Sequence, residues 1–399
     1  MSAPQSLPGL QAERLMAHMR ALCSQIGPRP ACSPQERQAA DYVRRTLADL
    51  GYTGVQTQRF RSSRSYAEQA IPAVAGLALA APLAGLAGRR GRLIGGLLAL
   101  AGALTLRNLL VARPPLYQPL IARGEGQNVF AVVPPRGEVQ RRLYLIGHLD
   151  TSRQRFMFPP SPPGLLKPFL TAALLLGLVS GAHLLSPVRR RRLPLWQWAA
   201  SLAAWASLAA MAADEAQPFV DGANDNASAV SVLLGVAEAL RAHPLAHTEV
   251  TLLFTGSEEP NSVGMHAFLD SAAPPRHNSY FIDLEMVGSV NICYVTRHGI
   301  SKLTEYAPHP DLLAAARAAA RKHPKLGIAG KDMLIVEEVA ALTHRGYKAL
   351  CIAGYNQEGF LPNWHRLSDT LERIEPGTLL RAAQFTWAVM HEIDALPEQ

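Results

Sequence analysis

Four long apolar runs constrain this chain more than any other feature, because each has to be buried in a protein core or in a membrane. Residues 70–88 hold no charged side chain. An Arg-Arg-Gly-Arg turn follows, then a run over 93–112 broken only by Arg107 and Asn108. The pattern returns later as 164–186, a Val-Arg-Arg-Arg-Arg-Leu turn, and 194–213. A helix needs roughly 20 apolar residues to cross a hydrocarbon core, and each run approaches that length. A soluble domain seldom needs four such helices in two hairpins. The sequence therefore predicts about four inserted transmembrane helices, with buried core helices as the competing reading.

Charge points the same way. Lys and Arg number 39 against 31 acids, a formal surplus of +8. Such a surplus suggests nucleic acid or anionic lipid as a partner. However, Arg89, Arg90, Arg92, Arg107, Lys167 and Arg189 to Arg192 all fall in the apolar segments, where 70–112 and 163–212 contain no acid. Those charges alone exceed the surplus, so the remainder is close to neutral. Membrane lipid is expected as a partner and nucleic acid is not. The cysteines, Cys23, Cys32, Cys293 and Cys351, show neither CxxC nor another metal spacing, so isolated buried thiols are expected. The first 25 residues lack an apolar core and a small-residue cleavage site, so no cleaved secretory signal is visible.

Outside the apolar runs the texture is that of a soluble α/β domain. Two helices are expected first, over Gln11 to Leu22 and from Pro34 to Gly51. The second opens with Ser33-Pro34-Gln35-Glu36, a serine cap three residues before a glutamate with proline at the first helical position. Strand patterns lie at 54–60, 127–133, 142–147, 249–255, 279–285 and 349–353, and helical patterns at 226–242, 309–322, 334–344 and 377–393. Strands alternating with helices predict a mixed, mostly parallel central sheet flanked by helices. Sites in such sheets form at the carboxyl ends of the strands. The expected organisation is one discontinuous domain, 1–69 with 113–163 and 214–399, interrupted by hydrophobic hairpins at 70–112 and 164–213.

Four clusters of chemically capable residues fall at strand ends or in loops. LYLIGHLDT places His148 and Asp150 two apart at a strand end, where an imidazole can bind metal while a carboxylate fixes its ring. A hydrogen-bonded structural pair is the alternative. VDGANDNASAV is a loop opening onto a helix, in which Asp225 is either a bridging carboxylate or a helix cap. LLFTGSEEP puts Glu258 and Glu259 directly after an apolar strand, where two adjacent acids repel unless a cation or a shared proton compensates. A solvated acidic turn is the other reading. YFIDLEMVG sets Asp283 and Glu285 on one strand face, and PNWHRLSDT carries His365 in a late loop. A carboxylate inside an apolar strand is costly unless paired.

The order of these pieces resembles metallopeptidase family 28. The sequence is HxD, a G-A-N-D-N-A-S loop, EE after a strand, an acid before M-x-G, and a late H-x-x-x-D. The family includes bacterial aminopeptidases, glutamate carboxypeptidases and glutaminyl cyclases. The resemblance covers nearly all of 35–399 outside the apolar inserts, and it implies the zinc exopeptidase fold. It implies that His148, Asp225, Glu259, Glu285 and His365 hold two metal ions, with Asp225 bridging. It also implies that Asp150 orients His148, that Glu258 is the general base and acid, and that Asp369 supports the His365 loop. Two departures stand out. The family usually has aspartate where Glu285 stands, and Ala229 occupies a position that is often glycine. Alignment on Met286-Val287-Gly288 selects Glu285, with Asp283 the other candidate.

Nitrogen and oxygen ligands without cysteine suit zinc, two ions per chain. The implied activity is hydrolysis of a peptide or similar amide bond near a free terminus, aminopeptidase action above all, by a metal-activated water with Glu258 as base. A glutaminyl-cyclase-like enzyme, an amide deacylase and a non-catalytic membrane binding protein are the other outcomes. No GxSxG elbow or cysteine nucleophile context is present. Arginine-rich turns prefer the cytoplasm, so an integral membrane protein with its catalytic domain on the exoplasmic or periplasmic side is expected.

Overall fold

The computed structural model describes residues 9–156, 163–187 and 192–397. Arg189 to Arg191 of the second turn, and part of the segment leading into the second hairpin, lie outside them. The soluble part begins with α1 (Ala12–Arg20) and α2 (Pro34–Asp49), followed by β1 (Gln56–Ser62). The first apolar hairpin is α3 (Tyr66–Leu86) and α4 (Gly88–Leu109). A short α5 (Gln118–Ile121) leads to β2 (Gly124–Val133) and β3 (Arg141–His148). The second hairpin is α6 (Leu166–Leu185) and α7 (Leu195–Glu215). Then come α8 (Ser228–Ala242), β4 (Thr248–Thr255), α9 (Val263–Ala272), β5 (Ser279–Glu285) and β6 (Asn291–Arg297). The chain ends with α10 (Pro310–Lys322), β7 (Ala329–Asp332), α11 (Glu338–His344), β8 (Lys348–Tyr355) and α12 (Pro376–Asp394).

The strands form one sheet in the order β1-β2-β4-β3-β5-β8-β6-β7. Its centre, β4-β3-β5-β8, is parallel, β1 and β2 join antiparallel to their neighbours, and β6 is antiparallel to β8 but parallel to β7. Alternate residues of each central strand serve opposite faces. Leu143, Leu145, Leu252, Ile282 and Leu350 pack with α1, α2, α8, α10 and α12. Tyr144, Ile146, Leu253, Phe281 and Cys351 pack with α9 and α11. Burial on both sides explains why these strands read as continuous apolar runs. All six expected strands are present. The sequence reading missed β6, β7, α5 and α9: β6 mixes polar and apolar residues, β7 has only the unbranched Ala-Gly-Lys-Asp, and α5 and α9 are short.

The α2 start is only half the expected capping box. Ser33 Oγ accepts from the Glu36 N–H at 3.1 Å, as a cap should. The Ser33 N–H, however, bonds Pro30 O at 3.0 Å. The Glu36 carboxylate is therefore free to accept from Cys32 N at 2.6 Å and Ser257 N at 2.7 Å.

All four expected apolar runs are helical. The helices α3, α4 and α6 are long and apolar enough to cross a membrane. The fourth, α7, has the length but falls outside that set; Gln197, Ser201 and Ser207 interrupt it, and it ends in Asp214 and Glu215. Leu86, Leu93, Ile94, Leu97, Phe169 and Trp205 are exposed along the four helices, and clustered exposed apolar side chains mark interaction or membrane surfaces. α3 and α4 meet backbone to backbone. A Cβ at Gly95 would lie 2.4 Å from Ala80 O, and one at Gly102 2.4 Å from Ala73 O, so only glycine permits this approach.

Candidate metal centre

The parallel strands deliver their carboxyl ends to one edge of the sheet, and the chemistry gathers there. His148 is the last residue of β3 and Glu285 the last of β5. Glu258 and Glu259 follow β4 by a tight turn in which Ser257 has φ 52°. Asp225 lies in an irregular turn ahead of α8, and His365 in the loop between β8 and α12, itself at φ 53°.

These side chains converge in two trios that share one residue. His148, Asp225 and Glu285 each offer a ligand atom, all within 4.8 Å of one another, and so do Asp225, Glu259 and His365. His148 Nε2 faces Asp225 Oδ1 at 3.2 Å and Glu285 Oε1 at 3.7 Å. His365 Nε2 faces Glu259 Oε2 at 3.1 Å and Asp225 Oδ2 at 3.5 Å. Asp225 thus turns one oxygen to each side. Glu285, not Asp283, faces His148. Asp283 points deeper, where it groups with Glu337 and Cys351.

A second layer of hydrogen bonds holds these residues. Asp150 Oδ1 and Oδ2 accept from the Glu258 and Glu259 N–H groups at 2.9 and 3.1 Å. Its carbonyl lies 3.0 Å from His148 Nδ1, and its carboxylate is farther, at 3.7 Å. Asp150 therefore orients the ring mainly through its backbone, while its side chain fixes the paired glutamates. Asp369 accepts from Asn224 N at 2.7 Å and Asp225 N at 3.0 Å, so it supports the Asp225 turn. Asn226 and Asn224 pin that turn to the end of β5: Asn226 Oδ1 accepts from Met286 N at 3.2 Å and Asn224 Oδ1 from Gly288 N at 2.8 Å.

Arg29, which the sequence reading passed over, is among the largest fully buried side chains. Its guanidinium donates to Leu149 O at 2.9 Å, Asp221 O at 3.0 Å and Gly222 O at 3.0 Å. It joins the loop of His148 and Asp150 to the turn of Asp225. A lone arginine between prolines carries no periodic signal that could have marked it.

Electrostatics calls for cations here. Burial pushes the Glu258 carboxyl well above the usual range, with His148 opposing and Glu259 adding to the shift. Burial does the same to Glu285, opposed by His148 and reinforced by Asp283. For Glu259 burial is outweighed by the His365 ring, and its pKa is lowered. Glu259 Oε1, Glu285 Oε1 and His365 Nδ1 are buried without a hydrogen-bond partner. Buried carboxylates with orphaned oxygens around two imidazoles form a donor set that fits zinc.

The sequence pattern of peptidase family M28 matches residues 203–390. This match supports peptidase family M28 for the C-terminal half of the chain. The match supports a hydrolase of the metallopeptidase type, for which zinc is the implied metal. Its fold is similar to that of a zinc aminopeptidase from Bacillus subtilis, with a TM-score of 0.58 and 15% identity over 97% of this chain and 96% of the other. A Zn-dependent exopeptidase from Parabacteroides distasonis gives 0.57 and 16%, over 97% and 99%. A glutaminyl cyclase from Porphyromonas gingivalis gives 0.56 and 15%, over 97% and 99%. No curated protein sequence matches this chain.

Proposed function

We propose that this protein is a di-zinc hydrolase of amide bonds near a free terminus, with aminopeptidase action the form the family resemblance favours. The observation that carries the reading is the pair of ligand trios sharing Asp225. His148 and Glu285 would hold one ion and Glu259 and His365 the other, with Asp225 bridging. Zinc bound there would polarise the scissile carbonyl and raise the acidity of water. Glu258 lines the same cavity as the five ligands and is held by Asp150 through its backbone N–H. It takes the proton of the attacking water and returns it to the leaving nitrogen. Asp150 and Asp369 keep the Glu258–Glu259 turn and the Asp225 turn in register, so the site is positioned before substrate arrives.

The similarity to glutaminyl cyclases keeps ring closure of an N-terminal glutamine as the second reading. Metal analysis together with product analysis separates the two. Two zinc ions per chain and free amino acids from leucyl-p-nitroanilide or a peptide library support hydrolysis. One zinc, with ammonia released from glutaminyl peptides, supports cyclisation.

The four apolar helices would hold the domain at a bilayer, with the Arg89–Arg92 turn in the cytoplasm and the catalytic domain on the outer side. Cys23 is buried with its thiol pushed up to about 11 by burial, so it cannot report the side. Glu138→Cys, on the exposed surface of the domain, can: labelling of intact cells by an impermeant maleimide is expected, and protection until lysis would reverse the topology.

A further inference from the structure

A cavity of about 560 Å³ opens at the ligand cluster and continues between the apolar helices. His148, Asp225, Glu258, Glu259, Glu285 and His365 line its upper end. Its walls below come from α3, α6 and α7, whose lining residues run from Tyr66 to Leu77, from Phe169 to Ser180, and from Asp214 back to Ala200. At 1.5 Å rise per residue these spans are about 17, 17 and 21 Å. Three helices thus agree on a depth that no amino-acid side chain fills.

The upper end is tied to the site. Phe156 N donates to Asp214 Oδ1 at 2.9 Å, and Arg155 N donates to His365 O at 3.0 Å. Near the lower end, polar clasps join the helices. Ser180 Oγ donates to Gln197 Oε1 at 2.6 Å, and Gln197 Nε2 returns a bond to Ser180 O at 3.1 Å. Ser201 Oγ donates to Leu77 O at 3.2 Å.

Polarity decides what can lie between these ends. Past Tyr66 and Asp214, which stand at the mouth, the polar side chains that α3, α6 and α7 add among the described lining residues are Ser180 and Ser207. Both are engaged, Ser180 in the clasp and Ser207 Oγ with Ala203 O at 2.9 Å. A peptide threaded into this space would bury an N–H and a C=O at every residue without partners, at a cost of several kcal/mol each. A hydrocarbon chain has no such groups.

We propose that the substrate is a long-chain N-acyl amino acid, or an amphiphile of that class, whose acyl tail occupies this cavity while its amide carbonyl sits at the ligand cluster. The proposal rests on the amide-hydrolysis reading above. Water oxygen bonds to the acyl carbon as the C–N bond breaks; Glu258 accepts one water proton and delivers it to the departing nitrogen. A fatty acid and a free amino acid result, with nothing oxidised or reduced.

The test uses the full-length, zinc-loaded protein in detergent with N-butyryl-, N-octanoyl- and N-palmitoyl-leucine, and leucyl-p-nitroanilide as the unacylated substrate. The expected result is kcat/KM rising with chain length, on the order of 100-fold from butyryl to palmitoyl, since each buried methylene contributes. Ala203→Phe, deep on α7, should shift the optimum to shorter chains and lower the palmitoyl-to-octanoyl ratio about tenfold or more. Ala200→Leu serves if that variant does not fold. Retention of N-palmitoyl-leucine by Glu258→Gln in native mass spectrometry, lost when Ala203→Phe is added, reads the cavity without turnover. Cleavage of leucyl-p-nitroanilide with a flat acyl-chain profile would overturn the tail site and leave amide hydrolysis standing. If no amide is cleaved, the hydrolase reading fails, and the retention measurement alone decides whether the cavity holds the tail.

Discussion

At the scale of single residues, the centre depends on charges that only cations or protons can reconcile. Glu258 lines the cavity beside the five candidate ligands yet belongs to neither trio, which leaves it available for proton transfer. Glu258→Gln is expected to lower kcat by about 100- to 10,000-fold while leaving zinc content unchanged by atomic absorption. Equal activity in that variant would remove Glu258 from the mechanism. Asp369→Ala removes the acceptor for two buried N–H groups. A loss of about 1–3 kcal/mol for each unpaired donor is expected in denaturant unfolding, with weaker zinc retention. Far from the site, burial lowers the His18 pKa from 6.5 to about 4, with Arg14 adding to it. Between these values the unfolded chain binds more protons than the folded one, so stability rises with pH across that window. His18→Gln should flatten the acid limb of Tm between pH 4 and 6.5.

At the scale of elements, the hairpins are held by close backbone approach and a few polar clasps. Gly95→Val places side-chain atoms where Ala80 O stands. The α3–α4 contact must then open, at a cost of about 1–3 kcal/mol in thermal unfolding of the detergent-solubilised protein. Leu97→Ala, at an exposed position on the same helix, should cost little by comparison. Helix patterns and strand patterns were legible because apolar periodicity and capping are local properties. The elements that escaped, β6, β7, α5 and α9, lack strong local preference. β6, β7 and α9 form because neighbouring strands and the sheet face beneath them supply the partners.

At the scale of the whole molecule, the candidate metal centre joins parts far apart in sequence, from β3 to the loop before α12. Ions binding the folded state alone stabilise it by mass action. Dialysis against a chelator should therefore lower Tm, and zinc titration should restore it with a break at two equivalents per chain. A break at one equivalent would exclude the two-ion site. The four-helix insert gives a second global expectation: the protein should remain with membranes after alkaline carbonate washing.

The sequence by itself determined the apolar hairpins, the alternation of strands and helices, and the residue types able to hold zinc. Each follows from short-range pattern or from the chemistry of single side chains. Only the tertiary structure decided the rest, because those properties arise from contacts between distant segments. It set Glu285 against His148 and sent Asp283 elsewhere, although both share one strand face. It gave Asp150 and Asp369 their backbone partners, and it buried Arg29 between two site loops. It also turned two separate inserts into the walls of one cavity that opens onto the ligand cluster, which no local pattern in α3, α6 or α7 could announce.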